Sequence, residues 1–218
     1  MGPAAGRSAV LASVLIPTIF ALWGARPVVA QKPDGGLDVK VERFLRDSRW
    51  SWRDMNVPEA DGRALHELIV ERSFKRGLEI GTSTGHSGIW IGWALAKTGG
   101  RLVTVDIDEG RHREALRNFQ EAGVAPFIDA RLADAHDLVP RLEGPWDFVF
   151  IDADKDWYTN YAKAVLPKLR VGGCLTAHNV SPGRGRRQMT GDFYEYVTGL
   201  PNLETSFRAG VFVACKTK

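Results

Sequence analysis

From residue 77 onward, short apolar runs alternate with amphipathic stretches of helical period. The runs are Gly77–Gly81 (GLEIG), Arg101–Ile107 (RLVTVDI), Phe127–Leu132, Trp146–Asp152 (WDFVFID) and Gly173–His178, with two last ones at 203–208 and 210–215. Helices are predicted between them at Ser87–Lys97, Glu109–Ala122, His136–Arg141, Trp157–Leu169 and Gly191–Thr198. Asp108 suits the N-cap of the second of these, and Gly123 and Gly199 suit left-handed stops. Ahead of this region, residues 38–75 read as two helical pieces broken at Asn56-Val57-Pro58. In the second piece, Leu65, Leu68, Ile69 and Phe74 recur at helical spacing. Strand–helix alternation of this kind predicts an α/β fold, a mostly parallel sheet with helices on both faces.

The N-terminus follows a different pattern. Arg7 precedes an uncharged run from Ser8 to Ala25, and Val28 and Ala30 suit the small-residue positions before a cleavage site. Residues 1–30 therefore read as a secretory signal peptide with Gln31 first in the mature chain, and 31–37 as a linker to a domain at 38–218. An uncleaved membrane anchor and a misassigned start, which would leave a cytoplasmic protein, are the alternatives. Length fits one domain with a sizeable core, and the net charge of +3 is too small to argue for nucleic acid. Cys174 and Cys215 each sit in an apolar run, so buried thiols are expected, although an exported chain also permits a disulfide.

Ligands of open α/β sheets bind at the carboxyl ends of the strands, and the polar residues of this chain gather there. The first strand ends in Glu79-Ile80-Gly81-Thr82-Ser83-Thr84-Gly85, a G-x-x-x-G turn with an acid before it. This is not the G-x-G-x-x-G form that cradles pyrophosphate, which disfavours a nicotinamide dehydrogenase. An acid there repels phosphate and suits the cationic amino acid part of S-adenosyl-L-methionine. Asp106 ends the second strand, twenty-one residues after Gly85, where an acid can accept from ribose hydroxyls. Asp134, in Ala133-Asp134-Ala135, suits an adenine amino group or a helix cap equally well.

The fourth strand ends in Asp152-Ala153-Asp154-Lys155-Asp156 and the fifth in His178-Asn179. Neighbouring parallel strands bring Asp152, His178 and Asn179 together. Carboxylate and amide oxygens are hard ligands that suit Mg²⁺, Ca²⁺ or Mn²⁺. Lys155, three residues after Asp152, is placed to act as a general base toward a phenolic hydroxyl.

On these residues the chain resembles the cation-dependent O-methyltransferase family, which includes catechol and caffeoyl-CoA O-methyltransferases. The resemblance runs from Met55 to the C-terminus through MNVPEADG, LEIGTSTGHSG, VTVDID, FIDADKDWY and GGCLTAHNV. It implies a Rossmann-like class I methyltransferase with a seven-stranded sheet whose last strand is antiparallel, often dimeric. It implies that Val57, Glu79, Gly81, Ser83, Gly85 and Ser87 border the methionine part of S-adenosyl-L-methionine. Asp106 would hold the ribose, and Asp134 and Ala135 the adenine. Asp152, His178 and Asn179 match the family's metal-ligand positions, and Lys155 matches the catalytic base. The family carries Asp-Asn where this chain has His178-Asn179. Imidazole in place of a carboxylate favours Mn²⁺, Fe²⁺ or Zn²⁺ over Mg²⁺, or signals weak or absent metal binding.

The function these features favour is O-methylation of a small hydroxylated aromatic, with a divalent cation. Methylation of a hydroxylated tRNA base and cofactor binding without turnover are the competing readings. The basic segment Ser181–Arg187 (SPGRGRR) reads as a loop beside the site.

Overall fold

Burial decides which apolar runs form the middle of the sheet. WDFVFI is buried at all six positions and forms β4 (Trp146–Ile151), while RGLEI buries its last four residues as β1 (Arg76–Ile80). Continuous burial of this kind marks strands covered on both faces. The computed structural model describes residues 1–2, 35–52, 55–181 and 190–218. Residues 3–30 of the expected signal peptide, the first residues of the linker (31–34) and the basic segment from Pro182 to Arg187 lie outside the described residues.

Two helices, α1 (Gly35–Asp47) and α2 (Glu59–Arg72), precede β1, so the last three residues of the expected linker are helical. The remaining elements are α3 (His86–Thr98), β2 (Arg101–Asp106), α4 (Glu109–Ala122), β3 (Ile128–Leu132), α5 (Ala135–Leu138), α6 (Tyr158–Val165), β5 (Leu169–His178), α7 (Gly191–Thr198), β6 (Leu203–Arg208) and β7 (Val211–Lys216). The sheet order is β3-β2-β1-β4-β5-β7-β6. β1 to β5 pair in parallel, and β7 runs antiparallel to both β5 and β6. This is the seven-stranded sheet with an antiparallel last strand that the resemblance implies.

The strand order reverses between β1 and β4, and their carboxyl ends open a crevice at that switch point. One apolar cluster joins β4 and β5 to α6 and α7 through Val149, Leu175, Tyr158 and Phe193. Another joins β2 and β4 to α2 and α3 through Leu65, Leu68, Ile91, Leu102 and Phe148.

Asp108 caps α4 by accepting from the Arg111 N–H, and Gly123 stops it at φ 85°. Gly199 departs from expectation, with φ −77°. The chain tightens instead of reversing: the Leu200 N–H bonds the Val197 carbonyl on the way to Pro201. β5 starts four residues earlier than the sequence pattern suggests, because Pro167 ends the preceding helix in a tight turn.

The expectation of two buried thiols is corrected. Antiparallel pairing puts Cys174 of β5 directly opposite Cys215 of β7, and the two form a disulfide with Cα atoms 4.0 Å apart. Neither apolar run announces this, since register is a property of the assembled sheet.

Candidate functional site

The loop after β1 requires its glycines. Gly81 has φ 101°, and a Cβ there would stand 2.8 Å from the Ala153 Cβ and 2.9 Å from the Asp152 carbonyl. The β1 and β4 loops therefore approach to a distance no side chain permits. Gly85 has φ 97°, and its missing Cβ makes room for Phe119. Ser83, at φ 48°, turns its backbone N–H onto Asp106 Oδ2 at 2.7 Å. Asp106 Oδ1 accepts from the Asp108 N–H at 2.9 Å. Each Asp106 oxygen uses one lone pair on the backbone and keeps another for a ligand.

These ends enclose a cavity of about 400 Å³ whose walls include Gly81, Ser83, Asp106, Asp134, Ala135 and Asp152. Asp134 caps α5, its Oδ1 accepting from the His136 N–H at 2.8 Å, so the capping role is realised and Oδ2 is left over. His136 also lines the cavity; its Nε2 lies 2.7 Å from Asp154 Oδ2 and its ring 4.4 Å from Trp157. By sequence His136 reads as a surface or helix residue, because its partners come from the β4 loop.

Four further residues proposed for the cofactor, Glu79, Ser87, Gly85 and Val57, are not among those lining this cavity. Glu79 is fully buried and accepts from Thr104 Oγ1 at 2.6 Å. Burial pushes its carboxyl up to about 8, against the hydrogen bonds from Ser87 and Thr104. Glu79 and Ser87 thus support the glycine loop from behind, as Gly85 does through its contact with Phe119. Val57 borders a second cavity of about 580 Å³ between α1, α2 and α3, with Trp52, His86 and Trp90. There His86 Nδ1 donates to the Val57 carbonyl at 2.9 Å, and its Nε2 accepts from Trp90 Nε1 at 3.1 Å. Those partners fix the neutral tautomer, and burial lowers the ring's pKa.

At the other lip, Asp152 and His178 do meet, with 3.4 Å between Asp152 Oδ2 and His178 Nδ1. Asn179 follows at φ 53°, its carbonyl accepting from Thr190 Oγ1. Lys155 Nζ lies 3.5 Å from Asp152 Oδ1 and 5.6 Å from the Tyr158 ring centroid. The Tyr158 hydroxyl donates to the His178 carbonyl at 3.2 Å, and burial raises its pKa.

A further residue joins that no spacing suggested. Asp61, on α2 and 117 positions before His178, is 4% exposed and places Oδ2 2.9 Å from His178 Nε2. Its Oδ1 accepts from the Gly210 N–H at 2.7 Å. Burial disfavours the charged form of His178, but the carboxylates of Asp152 and Asp61 outweigh it and raise the ring's pKa. Among the described residues, no three His, Cys, Asp or Glu side chains are grouped to hold a metal ion.

The family described as O-methyltransferase matches residues 40–183. A catechol O-methyltransferase from Niastella koreensis is 37% identical over 130 residues, 58% of each chain. Caffeoyl-CoA O-methyltransferase 1 from Eucalyptus globulus is 34% identical over 133 residues, 59% of this chain and 54% of the relative. The chain thus spans little more than half the length of these curated relatives. Among solved structures, an O-methyltransferase from Bacillus cereus in complex with SAH is similar at a TM-score of 0.68 and 26% identity, covering 84% of this chain and 92% of its own. The O-methyltransferase TomG from Streptomyces achromogenes, in complex with SAM, is similar at a TM-score of 0.68 and 29% identity, covering 86% and 92%.

Proposed function

This chain belongs to the O-methyltransferase family, and from that premise we propose that it moves the methyl group of S-adenosyl-L-methionine to a hydroxyl of a small hydroxylated aromatic molecule, catechol-type compounds included. One observation carries the reading. A single cavity at the switch point has Asp106 and Asp134 on one wall and Asp152 on the other, with Lys155 ion-paired to Asp152.

The residues suit the cofactor. Asp106 has one free lone pair per oxygen for the two ribose hydroxyls. Asp134 Oδ2 is left to accept from the adenine amino group. Gly81 and Ser83 let the chain pass close to the methionine part. When bound, the cofactor supplies a methyl group made electrophilic by its sulfonium.

Lys155 takes the proton of the acceptor hydroxyl on Nζ. The acceptor oxygen forms its bond to the methyl carbon as the carbon–sulfur bond breaks, and sulfur keeps the electron pair. The protein's contribution is to hold the two reactants in line and to keep water away from them. The resemblance also implies a divalent cation. Asp152 Oδ2 and His178 Nδ1, 3.4 Å apart, would hold it with Asn179, the Asp61 carboxylate would brace the other ring nitrogen, and the ion would polarise the acceptor hydroxyl.

Two features support export. The N-terminal pattern and the Cys174–Cys215 bridge both favour an exported chain, since disulfides persist in oxidising compartments. Mass spectrometry of the native chain is expected to find Gln31 at its N-terminus; a chain retaining Met1 contradicts cleavage.

The test of function is transfer of a labelled methyl group from S-adenosyl-L-methionine to a panel holding catechol, caffeate and phenol. Label in the aromatic product supports the reading. Cofactor binding with no label in any product favours a protein that binds without turnover.

A further inference from the structure

We propose that His136 is a positioning residue whose ring ties the turn carrying Lys155 to the wall that takes the adenine, so that seating the cofactor fixes the place of the base. The inference rests on the proposed cofactor site and goes beyond it, since Lys155 itself does not line that cavity.

His136 reaches the two sides through different atoms. Its backbone N–H donates to Asp134 Oδ1 at 2.8 Å, which holds the carboxylate proposed for the adenine amino group. Its ring Nε2 lies 2.7 Å from Asp154 Oδ2, eighteen positions away in sequence. A proton on Nε2 makes that contact a hydrogen bond, and the neutral Nε2–H ring supplies it as well as the imidazolium does. The ring also packs on Trp157, with centroids 4.4 Å apart and planes tilted by 37°.

Asp154 and Trp157 bracket Lys155. They are the ends of one tight turn, closed by the Trp157 N–H donating to the Asp154 carbonyl at 2.8 Å. Asp154 enters the turn at φ 48°, a left-handed conformation that costs an L-residue energy and persists only where its surroundings hold it. Its side chain makes no capping bond and turns to His136 instead. From this turn Lys155 Nζ reaches to 3.5 Å from Asp152 Oδ1. One polar and one aromatic contact with His136 therefore set where the Lys155 side chain begins.

The strength of the polar contact depends on water. The side chains of His136 and Asp154 are 37% and 44% exposed, and a pair so exposed is worth little. Both residues line the cofactor cavity. A purine held by Asp134 takes water away from the pair and strengthens it. Binding at the adenine wall thus stiffens the turn on the acceptor side.

The test is hydrogen–deuterium exchange of the peptide spanning residues 152–158 in the full chain, with and without saturating S-adenosylhomocysteine. Wild type is compared with His136→Leu, which keeps bulk without a donor, and His136→Gln, which keeps an N–H donor. Calorimetry on the same samples establishes saturation. In the wild type the ligand is expected to slow exchange of this turn by at least about fivefold. In His136→Leu the slowing is expected to vanish with the ligand still bound, and in His136→Gln to return. Melting temperatures of the three proteins without ligand are expected to agree, because an exposed contact adds little to folding. Equal slowing in wild type and His136→Leu overturns the proposal, as does a wild-type turn that the ligand leaves unprotected. Slowing lost in both variants together with a lowered melting temperature marks a structural role and overturns it too. A His136→Leu protein that no longer binds the ligand makes His136 a cofactor contact, against the proposal. Absence of binding heat in the wild type is a different failure: it removes the cofactor reading, and this inference falls with it.

Discussion

Asp106 holds the backbone N–H of Ser83 at 2.7 Å and so joins the end of the second strand to the glycine loop of the first. The carboxylate that fixes the loop is also the one proposed to take the ribose. Asp106→Ala is expected to weaken S-adenosylhomocysteine binding by about 1–3 kcal/mol, the range for losing charged hydrogen bonds. Asp106→Asn, which keeps one acceptor oxygen, should lose less. Equal calorimetric affinity in wild type and Asp106→Ala removes the ribose role.

Lys155 borders the acceptor side and does not line the cofactor cavity. Lys155→Ala is therefore expected to lower turnover by about 10²–10⁴-fold, the usual worth of a positioned base, with cofactor affinity nearly intact. Steady-state rates beside a cofactor titration separate the two effects. Turnover equal to wild type sinks the base assignment.

The ends of the strands were readable because the period of the pattern locates them and polar residues at those points stand out against apolar runs. Asp106, Asp134 and Asp152 were legible for that reason, and all three line one cavity. Asp61 was not, because its partner lies 117 residues away and its own helix carries other acids. The alternation of β1 turns Glu79 into the buried layer against α3, a placement that depends on how the helix packs on the strand. The Cys174–Cys215 pair depended on the register of β7 against β5, which no local run encodes.

Glu79 makes stability depend on pH in a stated direction. Its folded pKa is raised to about 8 from a reference of 4.5, chiefly by burial. Its contribution is complete below the unfolded value and is lost as pH rises through the folded one. Wild-type stability should thus fall between about pH 4.5 and about pH 8, relative to Glu79→Gln, by an amount on the order of 5 kcal/mol. Urea unfolding of both proteins across that window checks it. Parallel curves contradict a protonated, buried Glu79.

The disulfide closes a loop between residues 41 apart in sequence. Loop-closure entropy gives it about 3–4 kcal/mol of stability. Reductant is expected to lower the melting temperature, and alkylation should label two thiols only after reduction. Two thiols reactive without reductant contradict the bridge.

The measurement that bears most directly on the central claim is calorimetric titration of S-adenosylhomocysteine into the chain from Gln31 onward. The account predicts one site per chain, a dissociation constant on the order of micromolar, and marked weakening in Asp106→Ala. No heat of binding at millimolar ligand, from a protein shown to be folded, would contradict it.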